Sequence, residues 1–190
     1  MTHRAKKMIE PIETRDADAD SAAAMLSGLE VMVNDFQHVA SVLSVAAYGQ
    51  ARAGQSSIGA HMRHVLEFIQ MLADYVDSGT IDYEGRERNM VYETDPKAVI
   101  AMLPQLHAKL ARALERYGVH RPLLLRETAM IGGEKLTLTT SLGREVLFML
   151  QHGVHHLAII KMQAAAMNIH FGDKVGVAVA TQAYRKQANG

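Results

Sequence analysis

Apolar residues recur at three- and four-residue steps in four long stretches, the period of helices that turn one face to a core. The first runs from Asp16 to Ala51, with Met25, Leu29, Met32, Val33, Phe36, Val39, Ala40 and Leu43 on its face and Gly49 and Gly54 at its end. Asp16, Asp18 and Asp20 crowd its start, where the helix dipole favours acids. The second follows Ser56 or Ser57, either a natural N-cap, and carries Ile58, His61, Met62, Val65, Phe68, Ile69, Leu72 and Val76 before Ser78-Gly79-Thr80 stops it. The third opens on Thr94 or Asp95 with Pro96 in its first turn, continues through Val99, Met102, Leu103, Leu106, Leu110 and Leu114, and closes at Gly118. The fourth is capped by Thr140 or Ser141 and shows Leu142, Val146, Met149, Leu150, Gly153, Leu157, Ile160 and Ala164 as it runs to about Asn168.

The segments between these stretches set the expected topology. A short link, Ala53 to Ser56, makes the first two helices antiparallel neighbours. The polar stretch from Ser78 to Thr94 has seventeen residues and spans about 55 Å when extended, enough to run the length of a bundle. Loops of this length are functional or are crossovers. Leu123 to Met130 and Glu134 to Thr139 flank Gly132-Gly133, and the second arm alternates apolar and polar. That predicts a small β-hairpin, or an extended excursion, between the third and fourth helices. The expectation is an all-α fold, a four-helix bundle with this hairpin inserted at residues 123–139. Residues 1–15 read as a loose tail, residues 16–190 as one domain, and the glycine-broken segment 170–181 as a strand of chain draped over the bundle.

Composition narrows the class. A chain of 190 residues is an ordinary single domain. Its 20 basic and 20 acidic residues balance, so no electrostatic footprint points to nucleic acid or to an anionic membrane. Without cysteine there is no disulfide, no thiolate zinc site and no cysteine nucleophile. The basic start lacks an apolar signal core, and no run of 18 apolar residues exists. A cytoplasmic, soluble protein is expected. The twelve methionines are dispersed, and Met25, Met32, Met62, Met71, Met102, Met149, Met162 and Met167 fall inside the helical patterns, as flexible core filler does.

The fourth stretch also carries chemistry. His152 and His156 are four residues apart, roughly 40° from each other on one helical face. That spacing lets two imidazoles reach one ion from a rigid element. His155 points away and is expected to be solvated. Two imidazoles alone hold a metal weakly, so a third ligand is needed, and the second helix offers His61 and His64. Burial on the wheel favours His61, nearer the apolar centre. A site that admits substrate belongs at an edge, which favours His64, because it flanks its stripe in the same sense as His152.

Two motifs now carry a resemblance. Ser57-Ile58 is followed by His64 with the acid Glu67 one turn on, and His152-Gly153-Val154-His155-His156-Leu157-Ala158 closes the pattern. Together they resemble the DinB-like four-helix-bundle metalloproteins, over most of residues 16 to 170. The resemblance implies an up-down-down-up bundle and a divalent ion, zinc or nickel, held by His64, His152 and His156 with water completing the shell. It also implies activity as a metal-dependent S-transferase for low-molecular-weight thiols, or a related isomerase. The chain departs from the family in lacking Trp and in inserting the hairpin, so a relative's substrate pocket does not transfer.

The leading expectation is therefore a metal-dependent hydrolase or thiol S-transferase whose ion activates water or a thiol, with a small-molecule substrate. His61 and Glu67 are candidates to orient the ligands from behind. Arg86 and Arg88 on the crossover are candidates to meet an anionic substrate, against a solvated loop face. The catalytic group other than the ion-activated water or thiolate is open, since neither a carboxylate pair nor a GxSxG motif occurs. The alternatives are a non-catalytic metal- or ligand-binding stress-response bundle, and a structural bundle with core histidines. A homodimer is the expected assembly, as is common for bundles.

Overall fold

The computed structural model describes residues 14–51 and 54–188. Almost all of the expected tail, residues 1–15, lies outside them. The helices are α1 (Thr14–Val42), α2 (Val45–Gly49), α3 (Ile58–Tyr75), α4 (Val91–Thr94), α5 (Pro96–Tyr117), α6 (Leu142–Ala165) and α7 (Val179–Ala188). The strands are β1 (Thr80–Ile81), β2 (Pro122–Thr128) and β3 (Lys135–Ser141). The molecule is mostly helical, with a small sheet.

Local chemistry accounts for the helix starts. Ser57 Oγ accepts the Ala60 N–H at 3.0 Å, Asp95 Oδ1 accepts the Lys97 N–H at 2.9 Å, and Ser141 Oγ accepts the Arg144 N–H at 3.2 Å. Each satisfies a backbone donor that the first turn leaves free. The first stretch departs from expectation. It breaks after Val42, where Ser44 turns extended and its Oγ accepts the Ala47 N–H at 3.1 Å to start α2. The break turns Tyr48 inward, fully buried, with its hydroxyl donating to the Tyr92 carbonyl at 2.6 Å.

Helices α1 and α3 each pack against both α5 and α6 and make little contact with each other, so the short link does not make them the packed neighbours expected. The core between them holds Leu29, Phe36 and Val39 of α1, Met62, Ile69 and Leu72 of α3, Leu103, Leu106 and Leu110 of α5, and Val146, Met149 and Ile160 of α6, all essentially buried. Burying one such side chain contributes about 1.5–3 kcal/mol. Gly153 is what lets α1 close on α6, because a Cβ there would lie 2.3 Å from Met32 Sδ. Gly59 does the same for α3, where a Cβ would stand 1.9 Å from the Glu93 carbonyl oxygen of α4.

The hairpin is present and is larger than a two-glycine turn would make it. Strands β2 and β3 pair antiparallel from Pro122–Ser141 to Thr128–Lys135, leaving six residues to connect them. Within that connection the Gly133 N–H reaches the Met130 carbonyl at 2.9 Å and Gly132 takes φ of 72°. Strand β1 adds to β2 in parallel, giving the order β1-β2-β3, so the all-α expectation needs a three-stranded sheet added. Two residues are too few to show a period, which is why β1 was not expected.

The crossover from Ser78 to Thr94 is not a plain polar loop. It holds β1, a 3-10 turn at Tyr83–Gly85 and α4, and it buries Ile81, Tyr83 and Tyr92. Its anchor is Glu145 of α6, 1% exposed, whose carboxylate accepts the Tyr83 hydroxyl at 2.7 Å and the Thr140 hydroxyl at 2.7 Å. One buried acid thus ties the crossover and the hairpin to α6. At the other end, Lys161 Nζ donates to the Gly172 carbonyl at 3.0 Å, and Phe171 and Val175 are buried. The segment after α6 does lie on the helices, and it ends in α7, which buries none of its residues. Among the described residues no helix is long and apolar enough to cross a membrane.

Candidate metal centre

Helix α3 presents His61, His64 and Phe68 at three- and four-residue steps, and α6 presents Arg144, Phe148, His152 and His156 at four-residue steps. The two helices pack together, and these side chains meet across the seam in order. His61 faces His156, with ring centroids 5.2 Å apart and the two Nδ1 atoms at 3.0 Å. His64 faces His152, with centroids 5.0 Å apart and the two Nε2 atoms at 3.0 Å. Phe68 then packs 5.0 Å from His152, and Phe148 stacks on His152 at 5.4 Å.

Three of these histidines form a group that could hold a metal. His64, His152 and His156 each offer a ring nitrogen, and those nitrogens lie within 4.8 Å of one another. His156 spends Nδ1 on His61, which leaves Nε2 for an ion. In a tetrahedral zinc site with Zn–N of 2.0–2.1 Å, ligand nitrogens stand about 3.3 Å apart. The 3.0 Å between His64 and His152 is already close to that. Three imidazoles and, among the described residues, no fourth protein donor is also the ligand count of a site that keeps one position open.

The imidazoles are held in the form that binds a cation. Burial, reinforced by His152, Arg86 and the neighbouring histidines, brings the pKa of His64 down to about 4. Burial together with His152 and His64 brings that of His156 down to about 3. Burial, then His155 and Arg86, lowers His152. Desolvation penalises the imidazolium, and neighbouring positive charge penalises it further. At neutral pH each ring is uncharged and carries one lone pair.

The other candidates fall as follows. His155 is exposed, as the wheel predicts. His61 is half-buried, where its place near the apolar centre of the wheel pointed to the core. A wheel fixes rotation about the axis but not where along the helix the packing opens. His61 lies in the first turns of α3, on a cavity of about 420 Å³ that Ser56, Met162 and Gln163 also line. Glu67, 4% exposed, engages no imidazole. Its Oε1 accepts the Asn89 N–H at 2.6 Å and its Oε2 stands 3.5 Å from Arg86 Nε. It braces the crossover. Arg86 does reach the site, its guanidinium carbon 5.1 Å from the Phe68 centroid, while Arg88 is exposed. Neither Phe68 nor Phe148 is a site candidate from the sequence, although each stands four residues from a histidine of the group on the same face. Tyr83 stacks on Phe68 at 4.9 Å, and nothing local in the sequence signals that contact.

The sequence profile of the DinB superfamily matches residues 29–160, a span that contains all four histidines of the seam. The chain belongs to the DinB superfamily. No curated protein and no solved structure matches it. The matched DinB span begins inside α1 and ends inside α6, so the segment after α6, with α7, lies beyond it.

Proposed function

We propose that this DinB-superfamily protein is a metal-dependent enzyme acting on a small molecule, with His64, His152 and His156 as ligands to one divalent cation, zinc or nickel. The observation that carries the reading is that ring nitrogens of these three histidines lie within 4.8 Å of one another, with His64 and His152 Nε2 at 3.0 Å and His156 Nδ1 against His61. The cation would supply Lewis acidity, lowering the pKa of a water or a thiol so that it reacts as hydroxide or thiolate at neutral pH. The four long helices form an up-down-down-up bundle whose α3–α6 seam holds the site.

The chain's own residues do the positioning. His61 accepts the Nδ1–H of His156, which fixes the tautomer and aims Nε2. Phe68 and Phe148 wall the seam on the side of the crossover. The cavity beside His61 opens at the end of the seam away from Phe68 and Phe148. The reaction class is hydrolysis or S-transfer to a low-molecular-weight thiol. The test is turnover of a nitrophenyl ester, and of an aromatic chloride with a thiol, by zinc- or nickel-loaded protein. Metal-dependent turnover that His156→Ala abolishes is expected. Equal rates in the two proteins would reject the reading.

A further inference from the structure

The charge around this seam is lopsided. His64, His152 and His156 are neutral donors, so a divalent cation among them keeps its double charge, and no carboxylate belongs to the group. Two guanidinium groups stand on the aromatic walls. Arg144 continues the line of Phe148, His152 and His156 along α6, its guanidinium carbon 5.3 Å from the Phe148 centroid. Arg86 lies 5.1 Å from the centroid of Phe68, whose ring is 4.6 Å from His64 and 5.0 Å from His152. Each arginine is therefore one aromatic ring away from a ligand histidine.

Neither arginine is saturated by the acid beside it. Glu145 Oε1 is 3.7 Å from Arg144 Nη1, while that carboxylate already accepts the Tyr83 and Thr140 hydroxyls. The Arg144 side chain remains 61% exposed. Arg86 Nη1 donates to the Tyr83 carbonyl at 3.0 Å and its buried Nε pairs with Glu67 Oε2 at 3.5 Å, which leaves Nη2 as its donor for a ligand. Guanidinium groups with open donors next to an uncompensated cation make a field that draws anions.

We infer that the substrate of this site carries a carboxylate, which Arg144 and Arg86 bind on the aromatic side of the metal centre while its reacting group reaches the ion. The inference rests on the proposed metal centre and names the class of molecule it serves. An aromatic ring under each guanidinium restricts its plane and keeps water off one face, which strengthens a charge-assisted pair with a carboxylate. Neutral thiols or esters of the same length would lack that anchor.

The test compares matched probes on zinc-loaded protein by titration calorimetry: mercaptopropionate against mercaptopropanol, and mercaptohexanoate against mercaptohexanol. The longer pair covers a wider gap between ion and guanidinium. At least one acid should bind tenfold or more tightly than its alcohol, and Arg144→Gln should bring that ratio close to one. Arg86→Gln should do likewise. Arg144→Gln is the safer variant, since its side chain is largely in solvent. Equal binding of acid and alcohol in both pairs, or a preference that survives both substitutions, overturns the inference and leaves the metal centre standing. Zinc uptake without binding of any of the four probes overturns it together with the thiol reaction. Failure to bind zinc at all overturns the metal centre itself.

Discussion

His61 and His156 meet through like atoms, Nδ1 to Nδ1, at 3.0 Å across the α3–α6 seam. One proton lies between them, so one ring donates and the other accepts. With the proton on His156 Nδ1, its Nε2 keeps a bare lone pair, and His61 is the acceptor that holds it so. His61→Phe, which keeps a ring and removes the acceptor, should lower zinc affinity about 10- to 100-fold and leave the helical circular dichroism unchanged. His61→Asn, which restores a side-chain acceptor, should recover part of the loss. A competition titration with a chromogenic chelator reads this, and unchanged affinity in His61→Phe would dismiss the role.

The lowered pKa values of His64, His152 and His156 predict how acid acts. The ordinary histidine value of about 6.5 applies to the unfolded chain, and the folded values lie below it, so the unfolded state takes up more protons as pH falls. The stability of the metal-free protein is then full above about pH 6.5 and declines toward the folded values, about 4 for His64 and about 3 for His156. Melting temperatures between pH 7 and pH 4 should fall, and fall less steeply in His156→Phe. By the same sign, protons compete little for the lone pairs at pH 5, so zinc should remain bound there. Release with a midpoint near 6.5 would mean that the imidazoles titrate as if free.

The Glu145 clasp predicts a structural cost away from the ligands. Glu145→Ala leaves the Tyr83 and Thr140 hydroxyls without their acceptor, and an orphaned buried polar group costs about 1–3 kcal/mol. Urea unfolding should report that loss, with Glu145→Gln retaining part of it. A change under about 0.5 kcal/mol would show that solvent reaches these hydroxyls.

What the sequence made legible were the features with local periods. Ser57, Asp95 and Ser141 act as caps, the four apolar faces are the core, and the His152–His156 step places both rings on the seam. What it concealed are contacts made by chain distance. Thr80 pairs with Leu124, and Tyr83 reaches Glu145, with no short-range pattern to announce either. The break at Ser44 depends on Tyr48 finding the Tyr92 carbonyl, another partner far along the chain. For His61 the wheel gave the right face and the wrong depth, because depth depends on where α6 leaves the seam open. Glu67 looked like a partner for His64 at one turn, yet Asn89 and Arg86 of the crossover claim it.

The most direct measurement is metal stoichiometry, by elemental analysis after equilibrium dialysis of untagged protein against zinc and nickel, for the natural chain and for His64→Ala, His156→Ala and His155→Ala. The account predicts about one ion per chain in the natural protein and in His155→Ala, and a fall of about an order of magnitude in the other two, because two imidazoles hold a cation poorly. All four should stay folded by circular dichroism. Full occupancy in folded His64→Ala or His156→Ala, or loss of the ion in His155→Ala, would contradict the three-histidine centre.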